Sequence, residues 1–213
     1  MDTSFITINT HSSIRLQNKA GAVIYVDPYG FDTEPHDADL ILVTHTHFDH
    51  FSPEDIAKVR KPNTTFVMPA FNMSDFINAG FTQESAAFLV PYEHAVPFPG
   101  VAIDTVPAFN ISKKFHPEDQ AWMGYIVQVD DKRVYVAGDT DDLPENHDIE
   151  CDIALVPVGG TYTMDAREAA AFVNALKPAV AIPEHYGTVA GSPDDGKTFA
   201  SLVDPSIEVA FKL

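Results

Sequence analysis

LILVTHTHFDHF, residues Leu40 to Phe51, joins five apolar or β-branched residues directly to a cluster of polar side chains. The run Leu40–Thr44 is typical of a strand that is buried on both faces. Three histidines and an aspartate follow within six positions: His45, His47, Asp49 and His50. Imidazole and carboxylate groups are common metal ligands. The stretch therefore predicts a buried strand that ends in a metal-binding loop.

The spacing within this loop suggests two ligand positions. Residues i and i+2 of an extended chain point the same way, so His45 and His47 can hold one ion together. The chain must then turn into a helix, because Ser52 is a good N-cap and Pro53 suits the first helical position. This turn directs Asp49 and His50 toward a neighbouring position. One short loop could thus contribute to two metal ions.

Two further strands are predicted to end in a ligand. Strand Arg133–Ala137 runs into Asp139, and strand Ala179–Ile182 runs into His185. Ligands of open α/β sheets collect at the carboxyl ends of strands. Asp139 can bridge two cations with its two oxygens, and His185 can complete the second position. Three strand ends that carry histidine or aspartate make a shared site the natural interpretation.

The rest of the chain alternates strand and helix signals. Turn residues separate predicted strands at Phe5–Asn9, Ile14–Gln17, Ala22–Val26, Thr64–Met68, Ala87–Val90, Val101–Pro107, Trp122–Val129, Ile153–Pro157 and Ile207–Phe211. One predicted helix begins at Ser52 and is ended by Pro62. Three others cover Met73–Asn78, Ala166–Leu176 (with an Asp165/Glu168 capping box) and Pro193–Val203 (capped by Ser192). The predicted fold class is α/β (α+β): two mixed β-sheets packed together with helices outside, in a single domain expected over residues 1–213.

Composition limits the partners. The chain of 213 residues carries 31 acidic and 13 basic residues, a formal charge of −18, which disfavours nucleic acid. No apolar run reaches 18 residues, so membrane insertion is not expected. A single cysteine and an N-terminus without signal-peptide features favour the cytoplasm. A small-molecule substrate is the expected partner. The sequence leaves open whether the chain forms a homo-oligomer.

These motifs resemble the metallo-β-lactamase superfamily. Its H-x-H-x-D-H signature matches residues 45–50, and YVAGDTD (135–141) and AIPEHYGT (181–188) are similar to its bridging-aspartate and last-histidine motifs. VDPY (26–29) and GGTYTMDAREAAAF (159–172) resemble the lactonase-like and phospholipase D-like branches. The resemblance implies a four-layer αββα sandwich and a small metal-dependent hydrolase. Asp27 would then accept a hydrogen bond from a ligand imidazole.

The sequence departs from the superfamily pattern at one ligand. The lactonase-like branch places a further histidine of the first metal in an A-x-H pattern, where this chain has Asn110. His116 comes six residues later. Either Asn110 binds through its amide oxygen, or the loop folds back and brings His116 to the ion. Imidazole is the better ligand, which favours His116.

The implied cofactors are two divalent metal ions, with zinc first and manganese or iron as alternatives. Two ions sharing Asp139 would lower the pKa of a bridging water, and the resulting hydroxide would attack an ester, lactone, amide or phosphoester. Asp49 is the predicted catalytic residue, because it could orient the hydroxide and later protonate the leaving group. A small polar substrate is expected.

Other interpretations stay open. The chain could be a metal-binding module that has lost catalysis, and a nuclease is a weaker alternative because no basic patch is visible. An oxygen- or nitric-oxide-reducing di-iron enzyme is disfavoured, since no flavin domain is attached. The remaining histidines, His11, His36, His94 and His147, lack partners at ligand spacing and are interpreted as surface or loop residues.

Overall fold

The computed structural model describes residues 1–213 and contains thirteen strands and four α-helices. The first half holds β1 (Ile6–Ile8), β2 (Ile14–Gln17), β3 (Val23–Val26), β4 (Ala38–Leu42), α1 (Pro53–Val59), β5 (Arg60–Pro69), α2 (Met73–Asn78) and β6 (Ala86–Leu89). The second half holds β7 (His94–Phe98), β8 (Val101–Pro107), β9 (Met123–Val129), β10 (Lys132–Val136), β11 (Ile153–Pro157), α3 (Ala166–Leu176), β12 (Val180–Glu184), α4 (Asp195–Leu202) and β13 (Glu208–Val209). No helix is both long and apolar enough to cross a bilayer.

The strands form two mixed sheets of similar design. The first has the order β1-β2-β3-β4-β5-β6, antiparallel from β1 to β3 and parallel from β3 to β6. The second has the order β13-β12-β11-β10-β9-β8-β7, parallel from β13 to β10 and antiparallel from β10 to β7. Each sheet therefore joins an antiparallel meander to a parallel part, as the predicted mixed sheets require.

Three apolar clusters build the layers. The largest contains 21 buried residues from both sheets, such as Leu40 and Ile182, and lies between them. A second cluster packs Phe172 of α3 and Phe199 of α4 against the second sheet. A third packs Ile56 of α1 and Phe76 of α2 against the first sheet. The order helix, sheet, sheet, helix confirms the predicted αββα sandwich.

Local capping explains two helix starts. The hydroxyl of Ser52 accepts a hydrogen bond from the backbone N–H of Asp55, and Pro53 is the first residue of α1. Asp165 caps α3 by accepting from Glu168 N, while the Glu168 carboxylate accepts from Asp165 N, both at 2.9 Å. Both caps agree with the sequence prediction.

Three element predictions were wrong in detail. Helix α1 ends at Val59 and not at Pro62, because Arg60 already begins the long strand β5. Helix α4 has Asp194 rather than Ser192 as its N-cap, since the Ser192 hydroxyl accepts from Asp194 N in a preceding turn. Strand β7 was missed because it contains Pro97, which an edge strand tolerates.

Candidate metal centre

Six chain connections meet at one end of the sandwich. Strands β3, β4, β10 and β12 have their carboxyl ends there. The β1–β2 and β8–β9 connections lie at the same end, because β2 runs antiparallel to β3 and β9 runs antiparallel to β10. Each connection contributes at least one side chain to a polar cluster that is buried except for the half-buried His47: His11, Asp27, His45, His47, Asp49, His50, His116, Asp139 and His185.

Three histidines form the first group of this cluster. Nδ1 of His47 lies 3.1 Å from Nε2 of His45 and 3.1 Å from Nε2 of His116. Trp122 packs beside the group, with its ring 5.0 Å from those of His45 and His47. Three ring nitrogens at this separation can donate to a single ion.

Hydrogen bonds fix the tautomers of two of these rings. The Thr44 hydroxyl donates to Asp27, so it accepts from Nδ1 of His45 at 3.0 Å. Nδ1 of His116 faces two acceptors, the amide oxygen of Asn110 and the carbonyl of Tyr162, each at 3.2 Å. Nδ1 therefore carries the proton in both rings, and Nε2 presents its lone pair to the cluster. Facing lone pairs repel one another unless a cation lies between them.

A second group contains His11, Asp49, His50 and His185. Oδ2 of Asp49 lies 3.8 Å from Nε2 of His50 and 3.9 Å from Nε2 of His185. Asp27 accepts a hydrogen bond from Nδ1 of His50 at 2.8 Å, the contact with an imidazole that the sequence predicted for Asp27. This contact leaves Nε2 of His50 free to face the cluster.

Asp139 lies between the two groups. Its Oδ2 is 3.2 Å from Nε2 of His116 and 3.1 Å from Nε2 of His185, and its Oδ1 is 3.3 Å from Nε2 of His50. Nε2 of His45 is 3.9 Å away. The carboxylate thus reaches ring nitrogens of both groups, which is the arrangement expected of a bridging ligand.

Several buried polar atoms in the cluster have no hydrogen bond. They are Nε2 of His50, both ring nitrogens of His185 and Oδ1 of Asp139. Unpaired buried polar atoms are costly, by about 1–3 kcal/mol each. Nε2 of His50 and Nε2 of His185 lie close to the Asp139 oxygens but without hydrogen-bond alignment, as ligands arranged around a common ion do. The donor set of imidazoles and carboxylates fits a divalent metal such as zinc.

Two residues of the cluster, His45 and Asp139, have the charge state that suits metal binding. Burial holds the pKa of His45 well below its usual value, so the ring is neutral. Burial alone would raise the pKa of Asp139, but the neighbouring His185 and His50 rings hold it well below its usual range. A neutral imidazole and an ionised carboxylate are the forms that coordinate a cation. Burial alone would lower the pKa values of His50 and His185, but the adjacent Asp139 carboxylate raises both.

The structure assigns different surroundings to Asn110 and His116. Oδ1 of Asn110 accepts from the backbone N–H of His116 at 3.0 Å, and its Nδ2 donates to Asp141 and to the carbonyl of Tyr162. Asn110 therefore holds the loop that carries His116, and its amide oxygen is already used. His116 is the residue whose ring enters the three-histidine group.

His11 corrects the sequence interpretation. It was expected on the surface or in a loop, and it does lie in the β1–β2 loop, but its ring is fully buried. Nε2 of His11 lies 3.2 Å from Oδ2 of Asp49, and its ring packs on that of His185 with centroids 3.9 Å apart. Asp141 is buried as well and pairs with Lys113 at 2.6 Å.

Three residues of this cluster adopt a backbone conformation that is unusual for residues other than glycine. His11, Asp27 and His185 have φ values of 53°, 48° and 58°, in the left-handed region that residues other than glycine rarely adopt. Such strain collects at functional sites and costs on the order of 1 kcal/mol or more for each residue. Gly159 at the end of β11 permits the close approach of the His185 backbone, because a Cβ there would overlap the His185 carbonyl oxygen.

Comparison with known proteins identifies the family. The profile described as the β-lactamase superfamily domain matches residues 5–185. The chain belongs to this family. The match includes the 45–50 motif, Asp139 and His185, and it confirms the resemblance to the metallo-β-lactamase superfamily.

Relatives of this β-lactamase superfamily domain cover most of the chain. A metal-dependent hydrolase from Pyrococcus horikoshii is 33% identical over 180 residues, which are 81% of this chain and 77% of that protein. A crystal structure of a proposed metal-dependent hydrolase from Parabacteroides distasonis has a TM-score of 0.81 and 32% identity, covering 98% of this chain and 92% of the other. A metallo hydrolase from Ignicoccus hospitalis has a TM-score of 0.77 and 26% identity, covering 97% and 93%.

Proposed function

We propose that this protein is a hydrolase that uses two divalent metal ions. His45, His47 and His116 would hold one ion, Asp49, His50 and His185 the other, and Asp139 would contact both. The supporting observation is the position of Asp139, whose two oxygens face ring nitrogens of both groups. The names of the relatives, which are metal-dependent hydrolases, agree with this proposal.

The chain supplies orientation around such a centre. Divalent ions in a site of this kind lower the pKa of a bound water and polarise a carbonyl or phosphoryl group. Asp27 fixes the ring of His50, Thr44 fixes the ring of His45, and Asn110 fixes the ring of His116. Side chains held in this way are preorganised, so little reorganisation opposes the reaction.

Asp49 is the proposed proton-handling residue. It lines an open cleft beside the cluster, and the buried His11 lies within hydrogen-bond distance of its Oδ2. A carboxylate at this place can accept a proton from an attacking water and return it to the leaving group. The reaction class is hydrolysis of an ester, lactone, amide or phosphoester bond. With imidazoles and carboxylates as ligands, zinc is the first choice of metal, and manganese or iron are alternatives.

The substrate is proposed to be a small molecule. The cleft has a volume of about 270 Å³, close to the lower end of the range for ligand pockets. The formal charge of −18 opposes binding of nucleic acid.

This function is tested by measuring the metal content of the protein together with its rate of hydrolysis. Purified protein should contain two metal ions per chain and hydrolyse a member of a panel containing a phenyl ester, a lactone, an anilide and a phosphodiester. His47→Ala and Asp139→Ala should lose metal and lower the rate by more than about a hundredfold. Removal of a metal ligand should reduce metal affinity and activity at least as much as removal of a residue that orients a ligand.

His36→Ala is the matched control, because His36 is exposed and belongs to neither group of proposed ligands. It should keep both metal content and rate, and circular dichroism should show that all three variants are folded. Variants at His47 and Asp139 that keep full metal content and full rate would contradict the proposal. A metal-replete protein that hydrolyses no member of the panel would favour a binding module without catalysis.

A further inference from the structure

The cleft beside the metal cluster has an apolar wall. Its floor is formed by proposed ligands such as Asp49 and Asp139. Its sides are formed by Phe48, Phe115, Tyr162 and Val189, which come from four different loop segments. A group seated against these side chains would lie directly next to the proposed reaction centre.

Three of the four wall residues are exposed although they are apolar, and the fourth, Tyr162, is half-buried. Phe48 is 66% exposed, Phe115 is 37% exposed and Val189 is 36% exposed. The rings of Phe115 and Tyr162 pack edge to face with centroids 4.8 Å apart, and Phe48 packs edge to face on Tyr29 at 6.1 Å. A single exposed apolar residue needs no explanation, but several around one concave site indicate a binding surface for an apolar group.

No cationic side chain lines the cleft. The nearby Lys113 pairs with Asp141 at 2.6 Å and lies 3.8 Å from Glu168, so its charge is already matched. Lys114 lies outside the lining, with Nζ 6.0 Å from the centre of the Phe115 ring. A phosphate or carboxylate on the remote part of a substrate would therefore find no arginine or lysine partner within the cleft.

We propose that the substrate carries an uncharged aromatic or short alkyl group, which this apolar wall binds beside the scissile bond. The favoured substrate class is a small ester, lactone or amide with such a substituent. This inference rests on the proposed hydrolase function. It replaces the small polar substrate expected from the sequence, because the wall residues become recognisable only when four loops are brought together.

Binding of hydroxamates to the metal-loaded protein tests this inference without turnover. Acetohydroxamate and benzohydroxamate share one metal-binding head and differ in the apolar group. We expect calorimetry to show that benzohydroxamate binds about tenfold more tightly, since its ring removes additional apolar surface from water. 4-Carboxybenzohydroxamate, which adds a remote negative charge, should lose this advantage.

Phe48→Ala and Phe115→Ala should each reduce the preference for benzohydroxamate severalfold while metal content stays unchanged. Phe211→Ala is the matched control, because Phe211 is 49% exposed but lies outside the cleft. Protein that takes up no metal would overturn the proposed function and this inference with it. Protein that takes up metal but binds both hydroxamates equally, or whose preference survives Phe48→Ala and Phe115→Ala, would overturn this inference alone.

Discussion

The contact between His11 and Asp49 links a loop of the first sheet to the proposed catalytic carboxylate. Nε2 of His11 lies 3.2 Å from Oδ2 of Asp49, and its Nδ1 lies 3.2 Å from the hydroxyl of Thr188. When the Thr188 hydroxyl donates to Nδ1, Nε2 carries the proton and donates to Asp49. His11 then orients the carboxylate toward His50 and His185.

Replacement of His11 should weaken one metal position selectively. In His11→Ala, the affinity of the Asp49–His50–His185 group for zinc should fall about 10–100-fold, whereas the three-histidine group should change little. Stepwise zinc titration against a chelator measures the two affinities. His11→Gln keeps a side-chain donor and should restore part of the loss, and His36→Ala should titrate like the wild type. If both zinc affinities of His11→Ala equal those of the wild type, this role of His11 is contradicted.

The candidate ligands that follow strands, and the imidazole contact of Asp27, were predicted from the sequence, whereas the contact of the buried His11 with Asp49 was missed. His45, His47, Asp49 and His50 lie within six consecutive positions, so strand and turn periodicity alone predicts that they converge. His11 is 38 residues from Asp49 in sequence. Its loop carries no spacing signal, and only the folded β1–β2 connection shows the contact.

At the element scale, Asp55 fastens helix α1 to the loop after β3. Its carboxylate accepts from the backbone N–H groups of Gly30 and Phe31, each at 3.0 Å, and pairs with Lys58 at 3.0 Å. Burial alone would raise the pKa of Asp55, but the two N–H groups, with Lys58, lower it below its ordinary value of 3.8. The same loop begins at Asp27, so this contact also supports the metal-binding end of the sandwich.

Asp55→Asn should lower the free energy of unfolding by about 1–3 kcal/mol at pH 7, because charge-assisted hydrogen bonds are lost. The folded-state pKa is depressed, so the contribution is complete above the unfolded pKa and disappears as the pH falls through the folded pKa. The difference between wild type and variant should therefore shrink below about pH 4.

Urea unfolding at pH 7 and at pH 3 measures this difference. Glu54→Gln is the control, because Glu54 lies in the same helical turn and its side chain is 85% exposed. It should change the free energy of unfolding by less than about 1 kcal/mol. An Asp55→Asn effect that is equal at both pH values would exclude an ionic origin.

Element types followed from periodicity, whereas element ends did not. Strands buried on both faces, such as β3 and β11, are visible as apolar runs, and α3 is marked by its capping box. Strand β7 lies at a sheet edge, where only one neighbour and partial burial constrain the sequence. Tertiary pairing created this strand, so local composition could not reveal it.

At the scale of the whole molecule, metal binding and folding should be coupled. The proposed ligands come from both sheets, so bound ions would connect β4 of the first sheet with β10 and β12 of the second. The unfolded chain cannot preserve this arrangement. Ions that bind only the folded state therefore stabilise it by mass action.

Zinc at about 100 times its Kd should raise the melting temperature by roughly 5–10 °C, since such a concentration adds about 2.7 kcal/mol for one site. Differential scanning calorimetry with zinc and with a chelator measures the shift. Asp139→Ala should melt at nearly the same temperature in both conditions. Equal melting temperatures for the wild type would mean that the ions do not bind the folded state preferentially.

The layered architecture could be predicted because the motif order matched a known superfamily and because strands outnumber helices. The cleft could not be predicted, since Phe48, Phe115, Tyr162 and Val189 lie in separate loops with no shared periodicity. The choice between Asn110 and His116 also depended on how a loop folds back, which ligand chemistry could favour but not determine.

Anomalous diffraction from a crystal grown with zinc and without chelator tests the two-metal centre most directly. Two peaks about 3.5–4 Å apart are expected. One should lie about 2.0–2.2 Å from ring nitrogens of His45, His47 and His116, and the other at similar distances from Asp49, His50 and His185, with Asp139 touching both. A zinc-grown crystal with no anomalous peak among these side chains would contradict the account.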